Sequence, residues 1–103
     1  MNPRFQKLEK MQQILWQAEG RLRAGQVIYA FRHINYLSPL LQDEDSDKKS
    51  AYGRIVSRLR NGHQIDAQDE IKSLIDRIHN EANQIIQTSQ AVKIDQPPPQ
   101  SIP

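Results

Sequence analysis

Cysteine is absent from the 103-residue chain, and aromatic residues make up only 6% of it. The lack of cysteine excludes disulfide bridges, thiolate nucleophiles and zinc sites that use sulfur, so stability has to come from packing or from a partner. No stretch approaches the roughly 18 consecutive apolar residues of a membrane span. The basic segment 1–10 is not followed by the apolar run of a secretory signal. We therefore expect a soluble cytoplasmic protein with a single core.

Motifs for catalysis and for cofactor binding are missing as well. The sequence has neither of the common glycine-rich nucleotide-binding loops and no GxSxG nucleophile elbow. Its histidines, His33, His63 and His79, follow no metal-binding pattern. Spaced carboxylates such as Asp69 and Asp76 suit surface ion pairs better than acid–base catalysis. We expect no catalytic, cofactor-binding or metal-binding residue, no small-molecule substrate and no enzymatic activity.

Four segments have the apolar periodicity of amphipathic helices, which predicts an all-α fold. These segments are 3–24, 27–41, 48–61 and 65–89. Asn2 followed by Pro3 suits the start of the first helix, because asparagine accepts hydrogen bonds from the first turn and proline needs no donor there. Gly25 and Gly62 suit the ends of the first and third helices. The four helices are expected to form two helical hairpins.

The remaining segments are predicted to carry little buried surface. The acidic stretch 42–47 is expected to form an exposed loop that buries nothing, with Ser46 or Asp47 capping the third helix. Pro39 should bend the second helix or end it early. The last segment holds four prolines and is expected to be a flexible tail. The predicted units are a domain at 1–90, with hairpins at about 3–41 and 48–89, and the tail at 91–103.

Charge and aromatic residues are unevenly distributed along the chain, although the net charge is only +2. Residues 1–42 carry six bases and two acids, whereas residues 64–103 carry three bases and six acids. Most aromatic residues also lie in the first hairpin. The first hairpin is therefore aromatic and basic, and the second is aliphatic and acidic.

The chain repeats itself at an offset of 37 residues. Identical residues then coincide in the following pairs: Arg21 and Arg58, Leu22 and Leu59, Arg23 and Arg60, Gly25 and Gly62, Ala30 and Ala67, Ile34 and Ile71, and Leu37 and Leu74. In each copy a helix ends in Leu-Arg-x-Gly and the next helix carries an alanine five residues after the glycine. A small residue at that place lets the two helices approach closely beside the turn.

This pattern resembles the tetratricopeptide class of helical hairpins, whose period is about 34 residues. The matching residues are Gly25, Ala30, Ile34 and Leu37 in the first copy and Gly62, Ala67, Ile71 and Leu74 in the second. The resemblance implies a peptide-binding or protein-scaffolding role, and a plain four-helix array with similar turns is the alternative. Repeat arrays need about three repeats for stability. With two hairpins, a homodimer or a bound partner is expected.

Arginines and aromatic residues are the candidate binding groups. Arg54 and Arg58 lie one turn apart on the third helix, and Arg21 takes the place of Arg58 in the first copy. If the first helices of the two hairpins lie side by side, these residues form a basic strip that is able to hold phosphates or an acidic peptide. The alternative is that they only complement helix ends and keep the surface soluble. Trp16 is either a core residue or an anchor for a partner.

The sequence thus predicts a small non-enzymatic protein that binds another protein, or a second copy of itself as a homodimer, through a face of a helical hairpin. Such a protein acts as an adaptor, a chaperone or an inhibitor. The residues expected to contact the partner are Trp16, Arg21, Tyr29, Tyr36, Arg54 and Arg58. The alternative is a nucleic-acid-associated regulatory protein that uses the basic strip. No membrane partner is expected.

Overall fold

Four α-helices contain most of the residues that the structure describes. The computed structural model describes the backbone of residues 2–95 and the side chains of residues 2–88. The elements are α1 (Pro3–Arg23), α2 (Val27–Leu37), a 3-10 turn (Ser38–Leu41), α3 (Ser46–Arg60) and α4 (Gln64–Asp95). No strand occurs between residues 2 and 95, so the predicted all-α class is confirmed. In this part of the chain, no helix is both long enough and apolar enough to cross a membrane.

The start of α1 and the end of α2 follow the local sequence as predicted. The side-chain oxygen of Asn2 accepts hydrogen bonds from the backbone N–H groups of Arg4 at 2.8 Å and of Phe5 at 3.1 Å. These bonds satisfy donors that have no partner within the helix. α1 is continuous through Gly20. α2 ends before Pro39, which lies in the 3-10 turn, because a proline ring clashes with the preceding turn of an α-helix.

The cap of α3 differs from the prediction. Asp45, rather than Ser46 or Asp47, is the cap, and its Oδ1 accepts a hydrogen bond from the backbone N–H of Lys48 at 2.9 Å. Aspartate and serine are equally good caps, so the local sequence alone does not choose between neighbouring positions. The helix therefore begins at residue 46 instead of 48.

α4 is longer than its apolar stripe indicates. It continues to Asp95, beyond residue 89, where the predicted helix ends. The physical reason is that neither proline nor glycine interrupts the sequence between Gln64 and Asp95. The rest of the predicted tail, residues 96–103, lies outside the described residues.

The turns that follow α1 and α3 have the same backbone geometry. Gly25 and Gly62 both have a φ of 76°, in the left-handed region that glycine adopts without strain. In each turn the glycine N–H donates to the leucine carbonyl three residues earlier, at 3.0 and 3.3 Å. The N–H after each glycine donates to the arginine carbonyl five residues earlier, at 2.8 Å in both turns. The sequence repeat is therefore also a repeat of backbone structure.

The predicted apolar stripes meet in one core. α1 packs against α2 and α4, and α3 packs against α4. Arg4 near the start of α1 binds Glu81, whereas Glu19 near its end binds Gln68, so α1 and α4 run antiparallel. Side chains from all four helices are completely or almost completely buried between them: Leu8, Leu15, Ile34, Ile55, Ile71 and Ile78.

A partly buried network of ion pairs connects α1 to the start of α3 and to α4. Glu44 lies in the acidic stretch just before α3, and its side chain is only 1% exposed. Its Oε1 accepts a hydrogen bond from Arg4 Nη2 at 2.8 Å, and its Oε2 lies 3.0 Å from Lys7 Nζ. Lys48, also buried, places Nζ 2.9 Å from Glu81 Oε1 and 3.6 Å from Glu44 Oε1. The prediction that the acidic stretch buries nothing is wrong.

The charges of this network stabilise one another. Hydrogen bonding from Arg4 lowers the pKa of Glu44 to about 2; burial opposes this change, and Lys7 adds to it. Burial alone raises the pKa of Glu81, but hydrogen bonds from Lys48 and Arg4 outweigh it, so the pKa is lowered. Both carboxylates are therefore charged at neutral pH, as buried ion pairs require.

Candidate functional site

Six large apolar side chains are exposed among the described residues. Their exposed fractions are 53% for Trp16, 71% for Ile28, 50% for Tyr29, 63% for Tyr36, 75% for Ile65 and 39% for Ile86. Three of them belong to α2, which has only 11 residues. Single exposed apolar residues are ordinary, but a group of them on one short helix is typical of an interaction surface. α2 is thus the helix with the strongest indication of an interaction surface.

A strip of aromatic and basic side chains runs along α2. Tyr29, Arg32, His33 and Tyr36 stand at the spacing i, i+3, i+4 and i+7, which places them on one side of a helix. Arg21 of α1 joins them, because its guanidinium lies 5.3 Å from the centre of the Tyr29 ring. We call these five residues the basic–aromatic face. The side of α2 turned to the core carries different residues, Ala30, Ile34 and Leu37.

The basic–aromatic face is held together by ring contacts. The guanidinium of Arg32 also lies over the Tyr29 ring, 5.6 Å from its centre, so Tyr29 contacts two cations. The rings of His33 and Tyr36 meet edge to face with centres 6.2 Å apart. These contacts restrict the side chains before any partner arrives. A surface restricted in this way loses less conformational entropy when it binds.

The two arginines of this face have no acidic partner among the described side chains. Arg21 donates to Gln26 Oε1 at 2.7 Å, and its other contact is the Tyr29 ring. An arginine stacked on a ring keeps its edge N–H groups free for carboxylate or phosphate oxygens. The face therefore offers an aromatic surface together with two unneutralised cations.

A shallow groove between α1 and α2 adjoins the basic–aromatic face. Its lining includes Gln17, Gly20, Arg21 and His33. A side chain at Gly20 would meet nothing within 4 Å, so this glycine leaves the groove open without being required by close packing. His33 Nδ1 is buried and has no hydrogen-bond partner in the described part of the chain. Buried polar atoms are nearly always paired, so this atom is an exception to the usual pattern.

The second repeat carries a face of opposite charge at the same positions. The offset of 37 residues relates the basic–aromatic face to Arg58 of α3 and to Asp66, Asp69, Glu70 and Ser73 of α4. These five residues, which we call the acidic face, line one surface groove. Glu70 Oε2 lies 3.4 Å from Arg58 Nη2, and Asp66 Oδ2 lies 3.9 Å from Arg58 Nη1.

The structure brings together three of the six partner-binding residues predicted from the sequence. Arg21, Tyr29 and Tyr36 belong to the basic–aromatic face. Sequence reasoning missed Arg32 and His33 as members, although their spacing from the two tyrosines was a usable signal. Trp16 is exposed and is therefore not a core residue. It lies on α1 one turn before Gly20 and does not line the groove.

The predicted basic strip is not assembled. It requires α1 and α3 to lie side by side, whereas α1 packs against α2 and α4. Arg54 Nε lies 3.1 Å from Glu70 Oε2, and Arg58 also faces Glu70. Arg23 is likewise paired, with Nε 3.0 Å from Glu19 Oε1. Most of the arginine charge outside the basic–aromatic face is thus neutralised locally.

The aromatic and basic side chains of the basic–aromatic face are suited to noncovalent binding of a partner. Within the described residues, no group of three or more histidine, aspartate or glutamate side chains is placed to hold a metal ion. Comparison of the chain with protein-family models, with curated proteins and with solved structures finds no match. The resemblance to tetratricopeptide hairpins therefore stays a prediction.

Proposed function

We propose that this protein is a small protein-binding module whose basic–aromatic face docks a partner protein. The observation that carries the proposal is the exposure of Tyr29 and Tyr36 on α2, beside two arginines that have no acidic partner among the described side chains. Tyrosine and arginine are enriched among the residues that dominate binding energy at protein interfaces. A module of this kind acts as an adaptor, a chaperone or an inhibitor without chemistry of its own.

A protein partner suits this surface better than a nucleic acid does. Duplex DNA carries about one negative charge per 1.7 Å, so a binder usually needs a long basic surface. Here Arg54 and Arg58 are paired with Glu70, and the basic–aromatic face itself carries only two arginines. The aromatic part of the face is suited to apolar side chains of a partner. A nucleic-acid-associated role is the alternative that the following experiment also tests.

Capture from native lysate tests the proposal. We expect the double variant Tyr29→Ala/Tyr36→Ala to retain at least about tenfold less partner than the original chain, because it removes both aromatic anchors of the face. Trp16→Ala is the matched control, since it also removes an exposed aromatic side chain but lies outside the groove. The captured proteins are quantified by mass spectrometry after equal loading of each tagged chain.

Two measurements make this result interpretable. Thermal unfolding checks that each variant keeps its fold, as the exposure of the replaced side chains leads us to expect. Binding of a mixed-sequence oligonucleotide at low salt tests the alternative. Partners that are retained equally by the tyrosine double variant contradict the proposal, and so does nuclease-sensitive capture that depends on the arginines alone.

A further inference from the structure

The chain carries a complement to its own basic–aromatic face. That face contains Arg21 and Arg32, for a charge of +2 with His33 neutral. The acidic face contains three carboxylates and one arginine, for a charge of −2. Asp69 forms no ion pair with the described side chains, and the side chain of Asp66 is 60% exposed. The acidic face therefore has carboxylates that are free to accept hydrogen bonds from a second molecule.

The two faces stand on equivalent stretches of backbone. Each begins at a glycine with a φ of 76° and continues along a helix that starts two residues later. Ile28 and Ile65 occupy equivalent places at the start of these helices and are 71% and 75% exposed. An exposed isoleucine thus directly precedes the first helical residue of each face, and the other residues of the two faces have the same spacing. Because the opposite charges have equal spacing on the two faces, the charged residues of one copy are able to align with those of a second copy.

We infer that the acidic face of one copy docks on the basic–aromatic face of a second copy. This inference rests on the proposed function, because it names the partner of the same face. The carboxylates of Asp66 and Asp69 accept hydrogen bonds from the guanidinium groups of Arg21 and Arg32. The Tyr29 ring, already stacked on both arginines, excludes water from one side of these ion pairs. Partial desolvation of this kind strengthens a charged pair beyond its strength in open solvent.

Each copy has one face of each kind, so the contact is between unlike surfaces. If each of two copies offers both faces to the other, the assembly closes as a dimer with two equal contacts. Two contacts double the buried area, which matters because stable interfaces bury roughly 1,200–2,000 Å² in total. Pairing of opposite charges also excludes the alternatives in which two basic or two acidic faces meet.

Charge reversal in the full chain tests this inference. The variant Arg21→Glu/Arg32→Glu has two acidic faces, and the variant Asp66→Lys/Asp69→Lys has two basic faces. We expect each variant alone to self-associate at least about tenfold more weakly than the original chain, and an equimolar mixture of the two to recover association. Sedimentation velocity over a range of concentrations, at low and at physiological salt, measures both effects. Circular dichroism establishes that both variants remain helical.

The controls separate this inference from the proposed function. Lys10→Glu and Asp43→Lys reverse exposed charges outside both faces and are expected to leave self-association unchanged. A chain that stays monomeric at every concentration overturns the inference, and so does a mixture of the two variants that does not associate. Either result leaves the proposed function standing if capture of another protein still depends on Tyr29 and Tyr36. Loss of that dependence overturns the proposed function instead.

Discussion

Replacing Glu44 by glutamine should lower the free energy of unfolding by about 3 kcal/mol at pH 7. Glu44 accepts hydrogen bonds from Arg4, faces Lys7 and lies near Lys48, and its side chain is 1% exposed. Glutamine keeps the size of the side chain but removes the charge that compensates these cations. The change is costly because Lys48, whose side chain is 3% exposed, loses a compensating charge in a poorly solvated place, and Arg4 and Lys7, which are 38% and 27% exposed, lose a partner nearer to solvent. Denaturant unfolding followed by circular dichroism measures the change.

Asp43→Asn is the matched control for this variant. Asp43 neighbours Glu44 in the sequence but is exposed and forms no ion pair with the described side chains. Its replacement should change the free energy of unfolding by less than about 0.5 kcal/mol. Equal and small effects for the two variants would contradict a structural role for the network. The free energy of unfolding of a small domain is typically 5–15 kcal/mol. If the expected difference appears, one carboxylate contributes a large share of it.

The same carboxylate should make the protein sensitive to acid. The pKa of Glu44 is about 2 in the folded state and 4.5 ordinarily. Since the folded pKa is the lower one, the stabilisation is complete above pH 4.5 and is lost as the pH falls towards 2. Its size is roughly 3 kcal/mol, because each unit of pKa difference corresponds to about 1.4 kcal/mol. Measuring the free energy of unfolding at several pH values between 7 and 2 tests this expected loss.

Glu44→Gln provides the control for the acid dependence. The variant has no titrating group at this place, so its unfolding free energy should fall less steeply than that of the original chain below about pH 4.5. The two curves should converge near pH 2, where protonated glutamate and glutamine are alike. Parallel curves over the whole range would show that the acid sensitivity comes from other carboxylates. Glu81 and Asp45, whose pKa values are also lowered, contribute the remaining slope in both proteins.

Local sequence predicted the helices and most of the core. The stripes that contain Leu8, Leu15, Ile55 and Ile71 are buried as their periodicity indicates. The two glycine turns were predictable because glycine is the residue that adopts a positive φ without strain. The end of α4 was not predictable from its apolar stripe, since a helix continues beyond its buried part when no proline or glycine stops it.

Local sequence patterns do not predict the partly buried network of ion pairs. Arg4 and Glu44 are separated by 40 residues, and Arg4 and Glu81 by 77. An acidic stretch with many charges ordinarily lies in solvent, and only the approach of α1 supplies the cations Arg4 and Lys7 that allow Glu44 to be buried. Such long-range pairing depends on the arrangement of the helices, which the apolar stripes alone do not determine.

The candidate site was predictable where it depends on one helix. Tyr29 and Tyr36 lie seven residues apart, so their common face follows from helical geometry. Whether Arg54 and Arg58 are free depends instead on how the helices pack. Both are paired with Glu70, so neither is a free cation. The two copies of the repeat thus share backbone geometry at their turns, whereas their outward residues differ in charge.

Mapping the bound surface by nuclear magnetic resonance tests the central claim most directly, namely that the basic–aromatic face is the protein-binding surface. Amide signals of the isotope-labelled full chain are compared between the free protein and its complex with the captured partner. The expected result is that the largest changes fall on α2 at Tyr29, Arg32, His33 and Tyr36, and on α1 at Arg21. Changes centred on Trp16 or on the arginines of α3, with the signals of α2 unmoved, would contradict it.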